Sequence, residues 1–314
     1  MKNKPLNYLI TGGLGLIGSN LANNLQGKIT VISRSNKHLS RLNNKKAKLI
    51  IKSVHDLNEM DVANIDVIYH FASTVDNYNV LTDPYIDIET NVKDTIHLLE
   101  FCKKLRKKPK LIFPSTMFVY GNEYDRTKTP INEESKTDPL AIYPATKLCA
   151  ESIIKLYSRL YSIPYLICRL TNVYGEYETF DNTKKGALNY LIMEALKGNT
   201  LSLYDGGNFY RNYIYVDDVV AALRILEKKA NNDTYLIGHE DSIKFKTLIN
   251  CIIKMTKSKS KVRSVRSSKF HKAVATINFF ADTSKIRSLG WKPIIGHKEG
   301  LKKIVKRYKK LLNS

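Results

Sequence analysis

The sequence predicts an α/β protein: a parallel sheet with helices on both faces, followed by a smaller C-terminal lobe. Three observations predict it. Short apolar runs of strand length alternate with helical patterns through the first half of the chain. A glycine-rich turn joins the first run to the first helix. The 314 residues, 43% of them hydrophobic, suffice to bury a sizeable core.

Taken in order, "YLITG" reads as the first strand, followed by a helix from about Gly15 to Gln26 and by the strands "KITVIS", "KLIIKS" and "DVIYHFA". A long helical segment, Tyr85 to Lys107, leads to the strand "KLIFPST", a loop, a helix opened by Tyr143, and the strand "PYLICRL". Between Asn172 and Asp205 the pattern loosens into loops and one helix. After "YIYVDD" a helix runs to about Lys229, with Asp217 read as its N-cap, and "TYLIG" reads as another strand. From Ile243 onward short helical and extended pieces form a lysine-rich region.

Lysine and arginine number 51 against 29 acidic residues, a formal charge of +22. The lysines are spread along the whole chain, which reads as a compositional habit rather than a binding face. The densest stretches, "KSKSKVRSVRSSKFHK" and "LKKIVKRYKKLL", carry no recognisable nucleic-acid fold, so no nucleic-acid partner is expected. No apolar run reaches the ~18 residues that span a bilayer, so no membrane partner is expected. The basic start has too short an apolar segment for a signal peptide. Cys102, Cys149, Cys168 and Cys251 are scattered without metal or redox spacing, so no metal is expected and a reduced, cytoplasmic setting fits.

"LITGGLGLIGSN" holds Gly12, Gly13, Gly15 and Gly18 directly after a strand and at a helix start. Glycine is needed where the backbone turns tightly and where no Cβ can block a pyrophosphate. The free N–H groups of Leu16, Ile17 and Gly18 then open the helix whose positive end faces phosphate. This strand–turn–helix context points to a dinucleotide in a Rossmann-type doubly wound parallel sheet. The expected organisation is a dinucleotide-binding domain over 1–171 plus about 205–240, and a substrate-binding lobe over 172–204 and 241–314.

The second strand of an NAD-binding sheet ends in an acid that grips the ribose 2′-OH. Here it ends "VISRSN", with Ser33 and Arg34 in that place and Lys37 close behind. A guanidinium cannot accept hydrogen bonds from a diol but pairs well with a 2′-phosphate, which favours NADP(H) over NAD(H). The other reading has Arg34 stacked on adenine or facing water while NAD is held elsewhere.

After "KLIFP" comes "STMFVYG", placing Ser115 and Thr116 at the carboxyl end of a parallel strand, where ligands of open α/β sheets bind. In "IYPATKLCAE" Tyr143 stands one helical turn before Lys147 on the same face, with Pro144 suited to a first turn. That spacing alone is also an ordinary helix start with a solvated lysine.

With these motifs together the chain resembles the extended short-chain dehydrogenase/reductases of the nucleotide-sugar epimerase/dehydratase group. "TGGLGLIGSN", "HDL", "YHFAS", "STMFVYG", "YPATK", "CRLTNVYG", "RNYIYVDDV" and "LGWKP" occur in that family's order over nearly the full length. The resemblance implies NAD(P)(H) as cofactor and a nucleotide-diphosphate sugar as substrate. It makes Tyr143 the base that removes a sugar hydroxyl proton, with Lys147 beside it and Thr116 (Ser115 as fallback) on the reacting oxygen. An ordinary phenol has a pKa near ~10, so Tyr143 is expected to fall below it beside the lysine cation and a nicotinamide ring. Asp56 and Leu57 in "HDL" are implied to meet the adenine, and Phe71, Ala72 and Ser73 to line the cofactor channel. Asp56 also reads as a loop cap. Asn172 and Arg211 match residues that hold the substrate's diphosphate.

The group's 4,6-dehydratases carry Asp-Glu straight after the hydroxyl residue, and this sequence has Met117-Phe118. Neither can shuttle a proton, so the expectation is hydride transfer at C4 through a 4-keto sugar, without dehydration. A 4-epimerase and a 4-dehydrogenase or 4-ketoreductase both remain open. The alternative from a different class is a non-catalytic dinucleotide sensor or RNA-binding relative. Relatives pair the helices containing Ile88, Val92, Ile96, Leu99 and Phe101 and Leu148, Ile153, Ile154 and Leu156 across a two-fold axis, so a homodimer is expected. Choice of sugar and base falls to loops around Glu176–Leu188 and to a segment near Ser264–Ala273.

Overall fold

The computed structural model describes residues 5–74, 83–121, 123, 129–178, 187–274 and 276–312. Seven strands form the central sheet: β1 (Asn7–Thr11), β2 (Lys28–Ser33), β3 (Ala47–Ile51), β4 (Val67–His70), β5 (Lys110–Thr116), β6 (Tyr165–Leu170) and, late in the chain, β11 (Asp233–Ile237). Their order across the sheet is β11-β6-β5-β4-β1-β2-β3. The pairings from β3 to β5 are all parallel, with Thr11 beside Ile32 on one side and His70 on the other. The strand order therefore reverses at β1, and the crevice at the carboxyl ends of β1 and β4 is the switch point where such sheets bind ligands.

The chain divides into two compact units. The first comprises residues 1–116, 142–169 and 220–235. Its strands are nearly continuous apolar runs because both faces are covered. Helices α4 (Asp94–Lys104) and α5 (Ile142–Tyr161) bury Leu98, Leu99, Ala150 and Ile154 against Leu9, Ile68, Leu111 and Phe113. Each fully buried aliphatic side chain of this kind contributes roughly 1.5–3 kcal/mol. Helix α7 (Val216–Lys229) places Glu227 where it accepts hydrogen bonds from the hydroxyls of Tyr8 (3.1 Å) and Tyr69 (2.6 Å). The Lys110 ammonium donates to the carbonyls of Glu227 and Ala230, satisfying the end of that helix.

The long helix expected from Tyr85 is present with an irregularity. A short α-helical turn, α3 (Tyr85–Asp87), continues through a π-helical segment, Ile88–Lys93, into α4. π-Helical turns inside α-helices recur at functional sites, and this one carries Thr90 and Asn91.

The second unit comprises residues 117–141, 170–219 and 236–314. Among its described residues there is no long strand. Parallel β7 (Asn172–Tyr174) and β10 (Tyr213–Tyr215), antiparallel β9 (Tyr210–Arg211) and β12 (Ile243–Lys244), and parallel β8 (Leu201–Tyr204) and β13 (Val262–Val265) form three separate pairs. Aromatic rings fill the space between them: Tyr174 meets Tyr213 and Tyr215 edge-on, and Phe209 stacks on Phe245 at 5.2 Å. Helix α7 begins at Val216, so Asp217 lies in its first turn rather than at the N-cap, ion-paired at the surface with Lys303. Its buried neighbour Asp218 accepts hydrogen bonds from the backbone N–H groups of Ile294 and Ile295, both at 3.0 Å.

Candidate active site

Strand β1 runs into Gly12, whose φ of +63° is the left-handed region. A Cβ there would lie 2.7 Å from the backbone nitrogen of Ala72, and one at Gly18 would lie 2.7 Å from the Gly12 carbonyl. These two glycines let the loop press against both the end of β4 and the first turn of α1 (Leu16–Asn24). Gly15 is the N-cap of α1, with no side-chain cap and no acid in the first turn. The opening N–H groups of that helix are thus left for an external acceptor.

Beside this turn lies an open cavity of ≈ 250 Å³. It is lined by Gly12, Leu14 and Gly15, by Ile32 to Ser35 at the end of β2, and by Phe71 to Ser73 after β4. His38, Lys52, Val54, Thr90 and Asp94 complete it. The glycine cradle, the free helix end and the switch-point position all fit a dinucleotide. Of the expected cofactor residues, Gly12, Gly15, Ser33, Arg34, Phe71, Ala72 and Ser73 line this cavity. Leu16, Ile17 and Gly18 form the first turn of α1. Leu57 is buried in the core beneath α4. Asp56 is exposed, is absent from the cavity lining, and is tied to Ser53, whose hydroxyl donates to it at 2.6 Å. The loop-cap reading describes its geometry.

Thr116, the last residue of β5, shares a hydrogen bond with the Tyr143 phenol. Both side chains are buried, as is Lys147, one turn along α5, whose Nζ lies 3.8 Å from the centre of the Phe113 ring. A polar chain fixes the start of α5. Asn91, on the π-helical segment, donates to the hydroxyls of Thr74 and Thr146, and Thr146 donates to the carbonyl of Tyr143. Thr74 in turn donates to Asp87.

The electrostatics depart from the sequence expectation. Burial pushes the Tyr143 pKa well above the usual phenol value, the hydrogen bond to Thr116 pulls it down, and the Asp87 carboxylate adds to the rise. The expected fall is absent because burial outweighs the lowering effects. Burial pushes Lys147 down to about 7, against the pull of Glu151. Glu151, one further turn along α5, is held by Arg169 through Nε (3.2 Å) and Nη2 (2.8 Å), a buried bidentate pair. His70, between the hydroxyls of Thr11 (2.7 Å) and Thr95 (3.2 Å), is lowered to about 3 by burial and by the charge of Lys147.

In the second unit, Asn172 opens β7 and Arg211 ends β9. The Asn172 amide donates to the Asn212 carbonyl (3.1 Å) and lies 3.7 Å from the Met117 sulfur. The buried Arg211 guanidinium sits 5.8 Å from the Phe118 ring and 5.7 Å from Phe209. Met117 and Phe118 thus serve as apolar contacts for the two polar residues. Ser115 is buried, its Oγ without a hydrogen-bond partner among the described residues. Residues 179–186 of the first specificity loop lie outside the described residues.

Sequence reasoning missed Asn91, Asp94, Glu151 and Arg169. Glu151 had a signal, since it repeats the four-residue step from Tyr143 to Lys147. Asn91 and Asp94 had none, because nothing in the helical pattern of Tyr85–Lys107 marks which of its polar residues face the site. Among the described residues no group of His, Cys, Asp or Glu is placed to hold a metal ion, and no helix is long and apolar enough to cross a membrane.

The sequence model of the NAD dependent epimerase/dehydratase family matches residues 8–238. The chain belongs to that family. A putative UDP-glucose 4-epimerase of Methanocaldococcus jannaschii is 30% identical over 95% of this chain and 96% of its own length. An Arabidopsis thaliana trifunctional UDP-glucose 4,6-dehydratase, 3,5-epimerase and 4-keto-reductase is 30% identical over 97% of this chain, which spans about half of that longer relative (47%). Among solved structures, the UDP-glucose 4-epimerase of Thermotoga maritima with UDP-glucose superposes with a TM-score of 0.90 at 26% identity, covering 98% of this chain and 100% of that one. The family and its fold agree with the resemblance drawn from the motifs.

Proposed function

We propose that the protein oxidises and re-reduces C4 of a uridine-diphosphate sugar through a 4-keto sugar, with 4-epimerisation as the net outcome. The observation that carries this reading is the buried contact of Thr116 with Tyr143, one turn from Lys147, at the carboxyl end of β5. A bound nicotinamide dinucleotide supplies the hydride acceptor and a positive ring charge. As phenolate, Tyr143 Oη would take the proton of the C4 hydroxyl as hydride leaves C4, and as phenol would return it when hydride comes back to the other face of the ketone. Burial holds Tyr143 as the protonated phenol in the chain by itself, so the base step requires the phenolate, which the positive ring of a bound dinucleotide would favour. Thr116 Oγ1 orients the reacting oxygen, with Ser115 beside it. Lys147, in its protonated form, would add positive potential beside Tyr143 and would hold the nicotinamide ribose. The apolar pair Met117-Phe118 supports the exclusion of dehydration, which needs an acid and a base there. Asn172 and Arg211 hold the substrate diphosphate, and Arg34 favours NADP(H) in the cavity of the first unit.

A second reading, a 4-ketoreductase or 4-dehydrogenase, is favoured by that same Arg34, since reductive enzymes draw on NADPH. A homodimer is supported by apolar side chains that remain exposed on the two helices: Ile88 and Leu156 from the expected faces, with Tyr85 and Leu160 beside them. Leu99 and Ile154 are used up in the core. Incubation with UDP-glucose and its N-acetylated and uronate counterparts, followed by proton NMR and absorbance, separates the outcomes. A C4 epimer without net change in reduced nicotinamide is expected. Net cofactor turnover with a released keto or reduced sugar would replace the epimerase by the second reading.

A further inference from the structure

The cavity beside the glycine turn carries charges of both signs. Among the described residues Arg34 is its unpaired cation, Lys52 being ion-paired with Asp61 at 2.9 Å, and Asp94 is its one carboxylate. Thr90, on the π-helical segment, and Asp94, the first residue of α4, both line the cavity. The carboxylate is half-buried and has no ion-pair partner among the described residues. Burial raises its pKa, while His55, His97 and Arg34 pull the other way, so it lies within electrostatic reach of Arg34. Asp56, the acid that family resemblance assigned to the adenosine end, is bonded to Ser53 outside the cavity.

We propose that Asp94 is a specificity-determining residue of the dinucleotide cavity, whose negative charge opposes a 2′-phosphate and offsets the attraction of Arg34. This rests on the reading that the cavity holds the adenosine end of NAD(P)(H). A 2′-phosphate entering beside Ser33 to Ser35 gains the guanidinium and meets the carboxylate across a partly solvated gap, where opposed charges nearly cancel. A 2′-hydroxyl feels neither strongly. The pair therefore compresses the difference between the two dinucleotides. A family member with arginine where the ribose acid belongs thereby retains use of NAD.

The test is calorimetric titration of NADH and NADPH, without sugar, into the wild-type chain, Asp94→Asn, Asp94→Ala and Arg34→Ala. Either Asp94 variant is expected to raise the NADPH-to-NADH affinity ratio about fivefold, and Arg34→Ala to lower it about tenfold. Both changes should shrink in high salt, as screening requires. An unchanged ratio in the Asp94 variants, or an equal loss of both dinucleotides, would overturn the proposal, the latter placing Asp94 on the shared adenine instead. Failure of the wild-type chain to bind either dinucleotide would remove the reading of the cavity itself.

Discussion

The first unit presents its polar groups at the ends of long parallel strands, whereas the second presents them on pairs of two to four residues wedged among aromatic rings. In the first, position is inherited from the sheet: Thr116 ends β5, Ser33 ends β2, and Gly12 follows β1. In the second, position comes from single side-chain bonds, such as Asp218 holding the backbone of Ile294 and Ile295. A regular sheet tolerates the loss of one contact and suffers where a backbone is displaced. An irregular unit depends on each tie.

The largest effect distinguishing the two belongs to Lys147. Lys147→Met should lower kcat about a thousandfold, within the range general acid–base groups supply, without lowering the stability of the fold. The sign follows from its depressed pKa. Between about 7 in the folded chain and the ordinary 10.5 the unfolded chain binds the extra proton, so stability rises with pH across that window. Denaturant titrations at pH 7 and 9.5 should show this rise in wild type and a smaller one in Lys147→Met. An equal rise in both would mean the amine is not buried as described.

Next comes Gly12→Ala. A left-handed alanine pressed against Ala72 should weaken dinucleotide binding about a hundredfold and cost about 2–3 kcal/mol of stability, measured by calorimetry and urea melts. Asp218→Ala in the second unit should cost a similar ~2–3 kcal/mol, since one buried and one part-buried N–H group lose their acceptor, with dinucleotide affinity within about twofold of wild type. Equal damage to dinucleotide binding from both would erase the contrast between the units. The smallest effect is expected from Arg211→Lys. A point charge replaces a planar fork, and KM for the nucleotide sugar should rise about tenfold with kcat little changed.

What the sequence made legible follows the same division. "KITVIS" and "KLIFPST" name their strands to the residue, and the helix after "YIYVDD" ends at Lys229 as its periodicity requires. Regular elements put Tyr143 and Lys147 one turn apart on a helix and Thr116 at a strand end, but their roles came only through the family resemblance. The π-helical turn was invisible, since nothing in "IETNVK" breaks the helical pattern. The pKa of Tyr143 was expected to fall because sequence shows a neighbouring charge but not the burial that outweighs it. In the second unit, β9 and β12 are two residues each, too short for any periodicity, so Arg211 was reached only through family resemblance.

The most direct measurement is single-turnover hydride transfer from a UDP-hexose to bound oxidised dinucleotide, followed by the absorbance of reduced nicotinamide in wild type and Tyr143→Phe. The phenylalanine variant should bind the dinucleotide as wild type does and transfer hydride at least about a hundredfold more slowly. Transfer within a few-fold of wild type would contradict the account, because the sugar's proton would then leave by a route that does not involve the tyrosine.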